Sequence, residues 1–297
     1  MNDEIKRHAL SFGPVADAYD RARPSYPDDA ARWLTSEGRP DERLSVLELG
    51  AGTGLLTQTL VAQGHRVVAT DPSPEMLGRL RERVTPYSVG VSGAEAIPAP
   101  DRSIDVVVCA QSFHWFDHER ALPEIARVLR PGGYLAMVWN QRDESIPWVR
   151  RLGALIDREG RDMDLVAPVR SSTLFADVEE QTFRCWQDLR KEGLLDLVRS
   201  RSAIATLDED ARTERLARVA EMYDDLGRGA AGLRLPYVTL CYRAQVIHPP
   251  EPAPRPEVEM TEDGPTTVAD QPSASEATEP KQPEPPEDPG HLLIDFR

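Results

Sequence analysis

Short apolar runs recur along the first half of the chain: RLSVLELG (43–50), HRVVATD (65–71), YSVGV (87–91), IDVVVCA (104–110) and YLAMVW (134–139). They are short, β-branched and apolar on both faces, the pattern of parallel strands covered by helices. Segments with helical patterning lie between them, around 53–63, 73–83 and 117–129. Gly64 stands where a glycine ends a helix, and Asp117 where an N-cap belongs. In LRPGGYL (129–135), Pro131-Gly132 suits a type II turn closing the third helix. This βαβαβ order predicts an α/β fold with an open, doubly wound sheet. Farther on, 189–207 and 208–226 read as helices and 233–246 as a late strand. A mostly parallel sheet closed by a C-terminal hairpin with an antiparallel strand, helices inserted before it, accounts for that order.

Such sheets hold ligands at the carboxyl ends of their strands. The positions to watch are therefore Glu48–Gly54, Asp71, Gly93–Glu95 and Gln111–Trp115. The turn after the first run spells Gly50-x-Gly52-x-Gly54, and the third position of a dinucleotide fingerprint is occupied by Leu55. Glu48 precedes the turn inside the strand end. A carboxylate there is awkward beside a pyrophosphate and welcome beside a cationic amino-acid head group, such as the methionine end of S-adenosylmethionine. The three glycines let the backbone pass close to a ligand. Asp71 ends the second run, 19 residues beyond Gly52, where an acid holds ribose hydroxyls in either cofactor class. Its other reading is a turn residue before PSPEM. Met76, one turn on, either packs on an adenine face or fills the core.

Charge changes the picture at one end only. The chain of 297 residues carries a net −15, and residues 249–297 account for −9 of it, with 12 of the 26 prolines. That segment has too few large apolar side chains to offset its ordering entropy, which predicts a disordered acidic tail after a domain at 1–248. Cys109, Cys185 and Cys241 are widely spaced, as in a reduced cytoplasmic protein. No apolar run approaches the ~18 residues of a membrane helix, and MNDEIKRH does not read as a signal peptide. Net negative charge argues against nucleic-acid binding. Nothing in the sequence sets an oligomeric state.

VLELGAGTG, ATDPSPEML, GAEAIPAPDRSIDVVVCAQSFHWFD and EIARVLRPGGYLAMVWNQRDE, in this order, resemble the class I S-adenosylmethionine-dependent methyltransferases. The likeness is strongest to the branch of trans-aconitate and ubiquinone/menaquinone-pathway enzymes, and covers about residues 8–248. It implies a Rossmann-like sheet with an N-terminal lid (about 8–37), a cofactor-binding core (about 43–140) and substrate-side helices with a last strand (about 147–248). It further implies that Glu48, Gly50 and Gly52 line the methionine end, with Tyr19 of the lid above it, and that Asp71 holds the ribose. Met76 and the Ala94-Glu95 backbone would meet the adenine, and Gln111 would border the transferred methyl. Many relatives carry an aspartate where this chain has Gly93, which weakens the expected adenine contact.

Methyl transfer is an in-line displacement, in which orientation can contribute roughly 7–11 kcal/mol. His114 is the histidine at a strand end and the candidate general base; the alternative is that FHWF packs the pocket wall, with Trp115 against substrate. Arg23 and Arg142 are candidate anchors for an anionic group. His114 and His118 do not share a helical face, so no metal site is expected. The amino-directed and cytosine-directed DNA methylation motifs are absent from QSFHWF and its surroundings. A small-molecule acceptor is the expectation. The rival reading is a non-catalytic cofactor-binding protein acting through its tail.

Overall fold

The computed structural model describes residues 23–35, 42–156, 164–201, 204, 207–226 and 232–247. These all fall within one compact unit. The acidic segment 249–297 and Tyr19 lie outside the described residues.

Seven strands form one sheet: β1 (Ser45–Leu49), β2 (Arg66–Asp71), β3 (Ser88–Val91), β4 (Ile104–Ala110), β5 (Leu129–Arg142), β6 (Glu179–Leu189) and β7 (Leu233–Gln245). Their order is β3-β2-β1-β4-β5-β7-β6. The first five strands are parallel, and β7 runs antiparallel to both β5 and β6. The five early strands therefore stand where their apolar runs predict. So do α2 (Leu55–Ala62), α3 (Pro74–Arg83) and α4 (His118–Val128) between them. Also described are α1 (Asp28–Thr35), α5 (Pro147–Ile156), α6 (Ala167–Arg170), α7 (Lys191–Arg199) and α8 (Glu209–Asp225).

Strand alternation sends Leu47, Val107, Cys109, Leu135 and Met137 to one face, where they pack with Ala121, Leu122 and Ile125 of α4. Val46, Val106, Val108, Ala136 and Val138 go to the other, with Ala31 and Leu34 of α1 and Leu56 and Leu60 of α2. Both faces being covered explains why these strands read as continuous apolar runs. Fully burying one such side chain is worth about 1.5–3 kcal/mol, so the central strands are the firmest part of the molecule. A separate cluster joins α5, α7 and α8 to Leu233, Leu235 and Tyr237 of β7.

Two local expectations need correcting. Pro131-Gly132 is not a free turn: β5 begins at Leu129, and Leu129 and Tyr134 pair with Ile104 and Val106 across a register shift. The intervening residues bulge, with Gly132 at φ 81°. The last two strands are neighbours, as in a hairpin, but α7 and α8 lie between them in the chain rather than before them. Asp117 does occupy the N-cap of α4, without a side-chain cap hydrogen bond.

Candidate active site

After β3 the chain crosses to the far side of β1 to form β4, so the carboxyl ends of β1 and β4 flank the topological switch point. A crevice opens there in doubly wound sheets. The glycine turn fills the β1 side, its path fixed by Ala51 N–H donating to Thr70 O (2.9 Å) and Gly54 N–H to Ala51 O (3.0 Å). Gly50 sits at φ 69°, and a Cβ there would come within 2.5 Å of the Ser112 Cβ. Ser112 is itself held, its hydroxyl donating to Leu49 O at 2.7 Å. Gly52, at φ 55°, has no heavy atom within 4 Å of an added Cβ. The turn thus presses against protein at Gly50 and faces open space at Gly52. Only the latter matches the expectation that these glycines make room for a ligand; a Cβ at Gly54 would meet Leu80 of α3 at 2.8 Å.

Asp71 couples β2 to this turn. Its Oδ2 accepts the Gly52 N–H and its Oδ1 the Ser73 N–H, each at 2.9 Å. Burial raises its pKa, and the two N–H groups pull the other way. Asp71 is a turn residue, and its two accepted bonds leave further carboxylate lone pairs open. Asp71→Asn replaces one acceptor with an NH₂ group facing an N–H. We expect a lower Tm and S-adenosylhomocysteine affinity reduced by about 1.5–3 kcal/mol, the range for a bond to a charged group. Unchanged affinity by calorimetry would remove Asp71 from the site.

Glu48 lies at the floor of the cleft, 1% exposed. The Thr57 hydroxyl donates to its Oε2 at 2.6 Å. Burial pushes its pKa up to about 8, with the charge of Asp71 adding to the rise and the Thr57 bond opposing it. Thr53, which lines the same cleft, is 2% exposed and its hydroxyl has no hydrogen-bond partner among the described residues. A buried carboxylate, an unanswered hydroxyl and the open face of Gly52 together fit the ammonium and carboxylate of an amino-acid head group.

Arg23, Glu48, Gly50, Gly52 and Gln111 line one cleft. Gln111 takes a positive φ of 58°, and its Nε2 donates to Asn140 O at 3.0 Å. Strain of this kind in a non-glycine residue is concentrated at functional sites. Met76 is 6% exposed at the start of α3, its N–H on the Ser73 hydroxyl at 3.3 Å, and Ala94 is 3% exposed in the core. The Glu95 side chain accepts the Asp117 N–H at 3.0 Å, and a Cβ on Gly93 would meet its other oxygen at 2.7 Å. An aspartate at Gly93 would thus force Glu95 to move. His114, Trp115 and Arg142 are not among the residues lining the cleft. His114 and Trp115 lie in a 3-10 turn (Phe113–Trp115), ring centroids 4.7 Å apart. Arg142 reaches Glu144 at 3.4 Å.

Residues 47–137 match the family model for a methyltransferase domain. An uncharacterized methyltransferase of Mycobacterium tuberculosis is 46% identical over 243 residues, 80% of this chain and 96% of the relative. The chain belongs to the methyltransferase family. A methyltransferase-like protein of Schizosaccharomyces pombe is 35% identical over 239 residues, 78% of this chain and 93% of that protein. Among solved structures, a provisionally assigned Type II methyltransferase from Anaeromyxobacter dehalogenans superposes with a TM-score of 0.58 at 26% identity, over 75% of this chain and 97% of its own. This methyltransferase is an S-adenosylmethionine-dependent enzyme of class I, with the Rossmann-like sheet of that class.

Among the polar residues that line the methyltransferase's cleft, the sequence reading missed Tyr26, Asn140, Arg201 and Tyr237. Asn140 is a junction. Its Oδ1 accepts the Thr239 hydroxyl at 2.6 Å, and its Nδ2 donates to Ser25 O at 3.3 Å. That ties the Arg23–Tyr26 segment to β5 and β7 at the cleft's edge. The one available signal was the position of Asn140 just past the YLAMVW run.

Proposed function

We propose that the methyltransferase passes a methyl group from S-adenosylmethionine to a small-molecule acceptor. The observation that carries this reading is the lining of the cleft. Arg23 and Tyr26 from the N-terminal side, and Arg201 and Tyr237 from the other, share its lining with the glycine turn. An acceptor has to fit among side chains of this one chain, which suits a small molecule better than a polymer. In this reading Glu48, Gly50 and Gly52 bind the methionine end and Asp71 the ribose. Met76 and the Ala94-Glu95 backbone meet the adenine, and Gln111 borders the reacting end. Bound S-adenosylmethionine supplies an electrophilic methyl on a sulfonium whose charge is lost on transfer. The chain's part is to orient and to exclude water.

The test is incubation of the protein with methyl-labelled S-adenosylmethionine and a metabolite extract. Label in a low-mass product supports the proposal. Label confined to protein or nucleic acid, or no transfer at all, defeats it.

His114 suits positioning better than proton abstraction. The Trp139 indole N–H, a donor only, points at His114 Nδ1 at 3.5 Å. That nitrogen must then be the unprotonated one, which leaves the proton on Nε2 and makes the outer nitrogen a donor. Burial lowers the ring's pKa to about 4, with His118 adding to the fall. The ring is therefore neutral through the physiological range and a weak base. We expect His114→Ala to lower kcat by less than about tenfold, without shifting the pH profile. A general base would cost about 10²–10⁴-fold, so a loss of that size, with one limb of the profile gone, would restore the catalytic role.

A further inference from the structure

One residue of the cleft holds three separate parts of the chain together. Asn140, near the end of β5, lines the cleft. Its backbone carbonyl accepts from Gln111 Nε2, just past β4, at 3.0 Å. Its amide faces Thr239 of β7 and Ser25, ahead of α1. The orientation of that amide follows from these neighbours. A backbone carbonyl accepts and never donates, so the nitrogen has to face Ser25 O. The oxygen then faces Thr239, whose hydroxyl donates to it at 2.6 Å. Thr239 is 0% exposed, and Cys185 Sγ of β6 lies 3.6 Å from its hydroxyl oxygen. With its own proton committed to Asn140, that oxygen can accept the thiol proton. The donors thus run in one direction, from β6 through β7 and β5 to the segment before α1.

That segment is a wall of the cleft. Arg23, Pro24 and Tyr26 share the lining with Glu48, Gly50 and Gly52. It reads RPSYPD (23–28), and Pro24 and Pro27 have no N–H to give to a neighbouring strand. Carbonyls and side chains must therefore attach it. Two of its carbonyls are held by side chains from other elements: Ser25 O by Asn140 Nδ2 at 3.3 Å, and Asp28 O by Gln63 Nε2, at the end of α2, at 3.0 Å. Asn140 is the holder that also lines the cleft.

Resting on the assignment of this cleft to the cofactor, we propose that Asn140 is a positioning residue for S-adenosylmethionine. Its amide fastens the Arg23–Tyr26 wall to the strand ends that carry the rest of the lining, and so slows the escape of the bound cofactor. The task needs one planar group that donates to a carbonyl and accepts from a hydroxyl. Aspartate has the same shape and keeps the acceptor, but it lacks the donor until it is protonated.

The test compares Asn140→Ala and Asn140→Asp with the wild-type full chain, by the affinity and dissociation rate of S-adenosylhomocysteine. Neither change removes the backbone carbonyl, so Gln111 keeps its bond. Both variants should bind about three- to tenfold more weakly, the worth of one hydrogen bond, mostly through faster dissociation. The aspartate supplies a readout that general loosening would not move. Ionised, its second oxygen opposes Ser25 O; protonated, it donates to it. Relative to wild type at the same pH, the loss in Asn140→Asp should shrink by about half or more from about pH 8 to about pH 5, toward the ordinary range of a carboxyl. The loss in Asn140→Ala should stay constant. Glu48 titrates in that interval in all three proteins, and the ratio to wild type removes its effect. Unchanged affinity and dissociation in both variants overturn the inference, and so does a loss in Asn140→Asp that ignores pH. If the alanine variant fails to fold, the aspartate variant at the two pH values decides alone. Gly52→Ala separates the inference from the reading beneath it. Lost affinity there with intact binding in Asn140→Asp retires Asn140 alone, and intact binding in both retires the cleft as the cofactor's site.

Discussion

Replacing Gly50 by alanine is expected to lower Tm by roughly 5–15 °C and to abolish measurable cofactor binding, because two costs fall on one residue. A side chain at φ 69° costs about 1–2 kcal/mol. The new Cβ would also sit 2.5 Å from the Ser112 Cβ and 2.9 Å from its hydroxyl. Ser112 is 6% exposed and bonded to Leu49 O, so it has nowhere to retreat. Overpacking of this kind costs about 1–3 kcal/mol. The sum, about 2–5 kcal/mol, is a large share of the about 5–15 kcal/mol that hold a typical domain together. A domain of this size loses about 2–4 °C per kcal/mol. Gly52→Ala is the control. It carries a similar strain at φ 55° but meets nothing within 4 Å. Its Tm should fall by only a few degrees while S-adenosylhomocysteine affinity drops at least about tenfold, the added methyl standing on the ligand's face. If Gly50→Ala melts like the wild type, the approach of the turn to β4 is wrong. If Gly52→Ala binds normally, the ligand does not use that face.

The contrast between these two glycines shows what the sequence could and could not reveal. Gly50-x-Gly52-x-Gly54 marks a turn from local spacing alone, and the turn is where spacing puts it. Why each glycine is needed depends on Ser112 and Leu80, which lie 62 and 26 residues from their partners, and no local pattern carries that. The central strands were legible because both of their faces are covered, which leaves an unbroken apolar run. β6 was not, because it is an edge strand: most of Glu179–Leu189 is exposed or half-exposed, so EEQTFRCWQDL shows no apolar run. The half of the cleft proposed for the cofactor is built from residues at or just past strand ends, so their positions could be read in advance. The opposite half is built from Arg201, past a helix, and Tyr237, within an alternating strand. Those two meet the cleft only through the packing of α5, α7 and α8 against β7. His114 is the reverse case: its residue type suggests a base, while the Trp139 indole N–H at 3.5 Å from its Nδ1 favours the donor role proposed above.

Cofactor binding near neutral pH is expected to release about one proton, and Glu48 is the reason. In the free protein this carboxyl is 1% exposed with a pKa of about 8, so it is protonated at pH 7. The unfolded chain loses the same proton near 4.5, the ordinary value. Across the window from about 4.5 to 8 the folded state binds more protons than the unfolded one, and the contribution of Glu48 makes stability fall as pH rises. An ammonium bound beside the carboxyl reverses its preference, since a nearby cation favours the charged form. Titration of the protein with S-adenosylhomocysteine at pH 7, in buffers of different ionisation enthalpy, should report that release. Between pH 6 and 7 the affinity should improve by up to about tenfold, the most a single coupled proton allows per pH unit. Glu48→Gln keeps the size of the side chain and a group that can accept from Thr57, but cannot ionise. It should bind without releasing a proton, with an affinity nearly flat over that interval and weaker at pH 7 by about 1.5–3 kcal/mol. The variant should also lose the part of the stability decline with rising pH that comes from this residue. Proton release by the wild type that persists in Glu48→Gln would assign the linkage to another group, and no release by the wild type would mean that the ammonium is held away from Glu48.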